Sequence, residues 1–204
     1  MPDPTVFVVD DDDAIRRVLR WLITSVDLQV VEYKSADDFF AAFKRDAVGC
    51  LLLDVRMPGM SGLELQRRIS KECVGLPIII ITGHADVPMA IEAMKNGAFD
   101  FIEKPFNNQA LLDIVQKAIK ESIRNDEKRA EDDKREQTLS TLTPRERQVL
   151  DQIIDGETNK VIARNLGISK KTVEAHRAKV MKKLSVRSLA DLVRIVRQNP
   201  KNRD

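Results

Sequence analysis

Cysteine is nearly absent: only Cys50 and Cys73 occur among 204 residues. Two thiols cannot form the disulfide framework of a small secreted domain, so two ordinary buried or half-buried thiols in a reducing, cytoplasmic setting are expected. Histidine is equally scarce, with two residues. His176 has no cysteine and no second histidine near it in the chain, which argues against a metal site there. No run of about 18 apolar residues occurs, so no membrane-spanning helix is expected. The first residues, MPDPTVFVVDDDD, have neither a basic segment nor a cleavable apolar stretch, and do not read as a signal peptide. Internal repeats are also missing.

What the chain does have is charge, unevenly spread. Hydrophobic residues make up 43% and charged residues 32%, the balance of a globular protein. The net charge of +2 conceals two opposite halves. Residues 1–123 carry 14 Lys and Arg against 19 Asp and Glu, whereas residues 139–204 carry 15 against 7. An acidic body joined to a basic tail points to nucleic acid at the tail end, although a basic solvated surface has the same composition.

The first part alternates two kinds of segment. TVFVV (5–9), QVVEY (29–33), CLLLD (50–54), LPIIIIT (76–82) and FDFIEK (99–104) are short β-branched or aromatic runs. Amphipathic stretches lie between and after them, at about 13–26, 35–46, 62–72, 87–96 and 107–123. The unalternating apolar run Ile78 to Ile81 fits a strand covered on both faces. Five such units predict an α/β, doubly wound, five-stranded parallel sheet over residues 1–123, with ligands at the carboxyl ends of its strands. Residues 124–138, RNDEKRAEDDKREQT, hold eleven charged residues and a single apolar one. They cannot bury a core or form a coiled-coil seam, and composition leaves both a solvated helix and a flexible linker open. Over residues 139–204 four short helices are predicted, making a small all-α domain. Thr143-Pro144-Arg145-Glu146 reads as an N-cap, an N1 proline and a capping-box glutamate. A short helix at about 158–166, Gly167, and a longer basic helix from Ser169 form a helix-turn-helix pattern.

Four strand ends each deliver a polar residue to one sheet edge: Asp10 and Asp11, Asp54, Thr82, and Lys104. Taken singly, each has an ordinary reading as a helix cap, a turn residue, a loop start or a surface lysine, and Asp12 or Asp13 is expected to cap the first helix. Gathered at one edge, the carboxylates repel one another unless a hard divalent cation such as Mg²⁺ resolves the repulsion. An ammonium and a hydroxyl beside that cation make a pocket for a phosphoryl group, and a carboxylate there is a plausible nucleophile for an acyl phosphate.

The stretches VVDDDDAIR, LLLDVRMPGMSGLEL and IIITGHADVPMAIEAMKNGAFDFIEKPF closely resemble the flavodoxin-like receiver domain of two-component response regulators. Residues 139–197, with LTPRERQVL and GETNKVIARNLGISKKTVEAHRAKVMKKL, resemble the LuxR-type helix-turn-helix. Together they are similar to the NarL/FixJ class, nearest to its FixJ-like members. The resemblance implies that Asp54 accepts a phosphoryl group from a sensor histidine kinase. It implies Mg²⁺ (or Mn²⁺) held by Asp10, Asp11, Asp54 and the backbone carbonyl of Arg56, with Lys104 pairing the phosphoryl group. Thr82 and Phe101 match the switch pair, and the Lys104-Pro105 bond is a candidate cis peptide. Val87, Ile91, Met94 and Lys95 lie on the face that would form a homodimer on phosphorylation. The implied contacts to double-stranded DNA are Asn159, Lys160, Ser169, Lys170, Lys171, Thr172, Glu174, Ala175, His176, Arg177, Ala178 and Lys179. The class is not enzymatic beyond self-phosphorylation and slow autodephosphorylation at Asp54. Two other classes fit the sequence less well: an aspartyl-phosphate hydrolase, for which residues 1–123 leave no room for a substrate pocket or a cap, and an RNA-binding antiterminator behind a receiver, whose outputs lack the TVEAHRAKVMKKL pattern.

Overall fold

Strands that must be apolar on both sides force a layered architecture, and GCLLLD shows how. In the computed structural model, which describes residues 3–44, 46–72, 75–83, 86–186 and 188–197, this segment is a fully buried strand. Alternate side chains go to opposite faces. Cys50 and Leu52 enter one core, Leu51 and Leu53 the other. Ile79 and Ile81 join the first set and Ile78 and Ile80 the second.

The elements follow in the order β1 (Thr5–Val9), α1 (Asp13–Thr24), β2 (Gln29–Tyr33), α2 (Ala36–Ala42), β3 (Gly49–Asp54), α3 (Gly62–Glu72), β4 (Ile78–Thr82), α4 (Val87–Lys95), β5 (Asp100–Glu103) and α5 (Asn108–Ser140). Four further helices are α6 (Pro144–Ile154), α7 (Asn159–Leu166), α8 (Lys170–Lys183) and α9 (Leu189–Arg197). The sheet is parallel with order β2-β1-β3-β4-β5. Leu19, Leu22 and Ile23 of α1 and Leu111, Val115 and Ile119 of α5 cover one face. Phe39 of α2, Leu65 and Ile69 of α3, and Ala93 of α4 cover the other. The strand order reverses between β1 and β3, and such a switch point opens a crevice at the carboxyl ends.

At the opposite end the sheet is closed tightly. A Cβ on Gly49, whose φ is +143°, would lie 1.8 Å from the Thr5 carbonyl oxygen. The Gly49 amide donates to the buried Ser122 hydroxyl at 3.0 Å, tying α5 to the foot of β3.

The chain divides into two compact units, residues 1–127 and 128–204. Residues 124–138 belong to α5 and are helical. Two differences from the expected boundaries have local causes. The second helix ends at Ala42 rather than near residue 46, because Phe43 turns extended (ψ 134°) and stacks its ring 5.2 Å from Phe39. The fourth strand starts at Ile78, after Pro77, which has no N–H to give but accepts from the Leu51 amide at 2.9 Å. Cys50 is buried, and burial pushes its thiol up to about 12; Cys73 lies outside the described residues. Among the described residues no helix is long and apolar enough to cross a membrane.

Candidate functional site

Asp54 is the last residue of β3 and is only 6% exposed. Its Oδ2 accepts from the Arg56 amide at 2.7 Å, and its Oδ1 accepts from Lys104 Nζ at 2.7 Å. Lys104 Nζ also donates to Asp10 Oδ2 at 2.6 Å, and Asp10 Oδ1 accepts from the Asp12 amide at 2.9 Å. One ammonium thus bridges two buried carboxylates from adjacent strands. Burial pushes the Asp54 carboxyl above its ordinary range, the Lys104 hydrogen bond and charge pull it back, and the Asp10 charge adds to the rise. Burial presses the Lys104 ammonium down, but its bonds to Asp10 and Asp54 outweigh that and hold it above its usual value. The Lys104 amide donates to the Thr82 carbonyl at 2.9 Å, and the Lys104–Pro105 peptide is cis. Thr82 is buried at the end of β4.

The loop from Asp10 to Asp13 sorts four consecutive carboxylates. Asp12 is the N-cap of α1 and accepts from the Ala14 amide at 2.7 Å. Arg16 reaches back to donate to the Asp10 carbonyl at 2.5 Å and pairs with the Asp13 carboxylate. Asp10 is bound to Lys104. Asp11 is exposed and takes part in none of these bonds. Of the residues implied to hold a cation, Asp10 and Asp54 are therefore brought together by Lys104, whereas Asp11 stays at the surface beside them. Among the described residues, no three His, Cys, Asp or Glu side chains converge into a metal cage. The set still fits a hard divalent cation: two buried carboxylates, a third exposed one and the Arg56 backbone carbonyl are all oxygen donors, with waters completing the shell.

Gly62 and Arg16 are parts of this site that sequence reasoning missed. A Cβ on Gly62 would fall 2.0 Å from the Asp54 carbonyl oxygen, and the Gly62 amide donates to the Val55 carbonyl at 3.0 Å. The loop after β3 therefore folds back onto the strand end and holds Asp54 from behind. The only signal in the sequence is a glycine eight residues after the aspartate.

Phe101 lies on β5, half-buried against the core that α4 also covers. Val87, Ile91, Met94 and Lys95 are exposed on α4, Val87 by 72%.

In the second unit, Val149, Leu150 and Ile153 of α6, Ile162 of α7, Val173 and Val180 of α8, and Leu192 and Val196 of α9 form one core. Ser169 caps α8, accepting from the Thr172 amide at 3.1 Å, and Gly167 closes α7 in the left-handed region at φ +63°. Burying Val173 and Val180 turns the other side of α8 outward. Ser169, Lys170, Lys171, Glu174, Ala175, Ala178 and Lys179 are exposed, and Thr172, His176 and Arg177 are half-buried. Lys160 is exposed and Asn159 half-buried in the first turn of α7. The apolar stripe of α9 closes the domain core through Leu192 and Val196, while Ala190 is exposed.

Residues 6–116 match the response regulator receiver domain, and residues 140–196 match the LuxR family of bacterial regulatory proteins. The chain is 44% identical over 192 residues to the transcriptional regulatory protein TdiR of Thauera aromatica, covering 94% of this chain and 85% of that protein. The solved structure of the response regulator StyR is 46% identical, with a TM-score of 0.85 over 96% of this chain and 99% of that one. Full-length FixJ from B. japonicum is 39% identical, with a TM-score of 0.58 over 98% of this chain and 99% of that one.

Proposed function

Since the chain belongs to the two-component response regulators that join a receiver to a LuxR-type DNA-binding domain and regulate transcription, we propose that Asp54 is its phosphoryl acceptor. The observation that carries this reading is the Lys104 bridge, 2.6 Å to Asp10 and 2.7 Å to Asp54, at the switch point of the sheet. A carboxylate kept dry beside a fixed ammonium is a nucleophile with its counter-charge already in place.

An Asp54 carboxylate oxygen attacks the phosphorus of a phosphohistidine on the partner kinase. A new P–O bond forms, the P–N bond breaks, and the leaving imidazole nitrogen takes a proton. Lys104 releases Asp54 and pairs with the transferred phosphoryl oxygens. Asp10, Asp11, Asp54 and the Arg56 carbonyl are the groups that would hold Mg²⁺ (or Mn²⁺), which when bound neutralises negative charge on the phosphoryl group. Beyond this transfer and slow hydrolysis of the acyl phosphate, the chain turns over no substrate.

The acyl phosphate then draws on the Thr82 hydroxyl, and Phe101 turns inward into the space released under α4. The exposed apolar residues Val87, Ile91 and Met94, with Lys95 at their edge, become the contact between two copies. A bias of a few kcal/mol is enough for such a two-state element. Two weak half-site contacts then act as one strong contact on a single DNA duplex in the cytoplasm.

The direct test is Asp54→Asn in the full chain, incubated with acetyl phosphate and Mg²⁺ and read by intact mass. Incorporation should vanish while the circular dichroism spectrum is retained; a normal rate of labelling would remove Asp54 from this role. Ile91→Glu should keep labelling but lose the rise in sedimentation mass, and an unchanged dimer would move the interface elsewhere.

A further inference from the structure

The amino end of α6 and the carboxyl end of α8 meet at one buried carboxylate. Glu146 Oε2 accepts from the Thr143 amide at 2.9 Å, and Thr143 Oγ1 accepts from the Glu146 amide at 3.3 Å, which completes a capping box. A capping box needs nothing more than these two local bonds. Here the same Oε2 accepts a second bond, from Lys183 Nζ at 2.7 Å, spanning 37 residues to the last turn of α8. Lys183 Nζ donates again to the Thr141 carbonyl at 2.9 Å. The Glu146 side chain is 4% exposed and that of Lys183 34%. The Lys183 bond, followed by the Thr143 amide, holds the Glu146 carboxyl down to about 2, so Glu146 is ionised at neutral pH.

Packing alone leaves α8 some freedom. Val173 and Val180 seal its inner side, but apolar contact is non-directional and tolerates small slides and tilts. A charge-assisted hydrogen bond at the last turn is directional and removes that freedom. Lys182 stands beside it in the same last turn and is exposed, and among the described residues it makes no bond of this kind. The two lysines have the same chemistry and different employment.

We infer that Glu146 and Lys183 are positioning residues for DNA recognition: their bond sets the pose of α8, and Lys183 is withheld from DNA phosphate although it lies on a basic helix. The inference rests on the DNA-binding role of the second unit.

It predicts effects opposite in sign to simple electrostatics. Glu146→Gln removes a negative charge from a domain that binds a polyanion, and charge alone would tighten binding. Loss of the pose weakens it. Lys183→Met would lower the slope of log K against log salt by roughly 0.9 if that lysine met a phosphate. A withheld lysine leaves the slope unchanged.

The experiment uses the full-length chain and a labelled duplex enriched by the wild-type protein from a random-sequence library. Binding is followed by anisotropy across a salt series for wild type, Glu146→Gln, Lys183→Met, Lys183→Arg and the double variant. The Gln and Met variants should each bind about tenfold more weakly, the scale of one charge-assisted hydrogen bond, with the wild-type slope. The double variant should be no worse than either single one, the mark of a shared interaction, and Lys183→Arg should recover most of the affinity. Tighter or unchanged binding by Glu146→Gln overturns the inference, as does a slope reduced by roughly 0.9 in Lys183→Met. If circular dichroism shows Glu146→Gln unfolded, the slope and the rescue at Lys183 decide the matter. A wild-type chain that enriches no duplex at all would instead overturn the DNA-binding role itself.

Discussion

The two halves of the chain use charge in opposite ways. Residues 1–123 are net acidic, and their working charges, Asp10, Asp54 and Lys104, come from strand ends up to 94 positions apart and are buried against one another. Residues 139–204 are net basic, and their working charges lie on one short run of chain with most of them facing solvent. A buried charge is tolerated only while its partner is in place, so the members of the first site depend on one another. Exposed charges at the second each add a modest, screened share. Substitutions should therefore act as all or nothing in the receiver and by degrees on α8.

The largest expected effect tests whether the two units stand or fall separately. Gly49→Ala places a methyl group 1.8 Å from the Thr5 carbonyl, at a backbone φ of +143° that favours glycine. The receiver should lose about 3 kcal/mol, the range for overpacked sites. In a thermal scan of the full chain its transition should fall while that of residues 128–204 holds. A single joint drop of both transitions would break the comparison.

Much of the receiver is legible in the sequence because its signals are local. A run such as Ile78 to Ile81 has no polar face to offer water and so must be covered, and four β-branched residues in so short a run favour a strand over a buried helix. Asp54 stands out because it ends a strand of the same kind. Glu146 was legible only as a capping-box residue, since Thr143 lies three positions away; its bond to Lys183 is a product of packing. Gly62 and Arg16 escaped for the same reason: what makes them matter is the Asp54 carbonyl and the Asp10 carbonyl, and neither contact leaves a pattern in the sequence. The charged stretch 124–138 could not be assigned by composition, because solvated helix and flexible linker use the same residues. It is helical, and Arg124 with Glu121 and Arg135 with Asp132 pair across single turns.

A smaller effect sharpens the comparison through pH. Glu146 is depressed from 4.5 to about 2, so its contribution to stability is fully present above pH 4.5 and is lost as pH falls toward 2. Asp54 is raised from 3.8, chiefly by burial, so the folded receiver holds that proton more tightly than the unfolded chain does. Its contribution therefore favours folding at low pH and is lost as pH rises through the folded value. In chelator-containing buffer, the difference in melting temperature between wild type and Glu146→Gln should grow as pH rises from 2 to 4.5. The advantage of wild type over Asp54→Asn should shrink as pH rises above 3.8. Slopes of the same sign in both units would mean that Asp54 is stabilised by Lys104 more than it is penalised by burial.

The smallest effect is at Lys171. It is exposed in the first turn of α8, where the chain turns its basic side outward. Its side chain makes no hydrogen bond or ion pair among the described residues, so Lys171→Ala should leave the melting temperature within experimental error. If Lys171 meets a phosphate, its removal should weaken duplex binding several-fold at low salt and lower the slope of log K against log salt by roughly 0.9. The loss should be nearly the same for selected and unselected duplexes, because a phosphate contact carries no sequence information. Lys183→Met is the paired control: Lys183 lies twelve positions further along the same helix, and its ammonium is 2.7 Å from Glu146. Equal slopes for the two variants would erase the distinction between a lysine spent on the fold and one spent on the duplex. A slope that changes for Lys171 alone would show that two cations of one helix do different work, one as a positioning group and one as a contact.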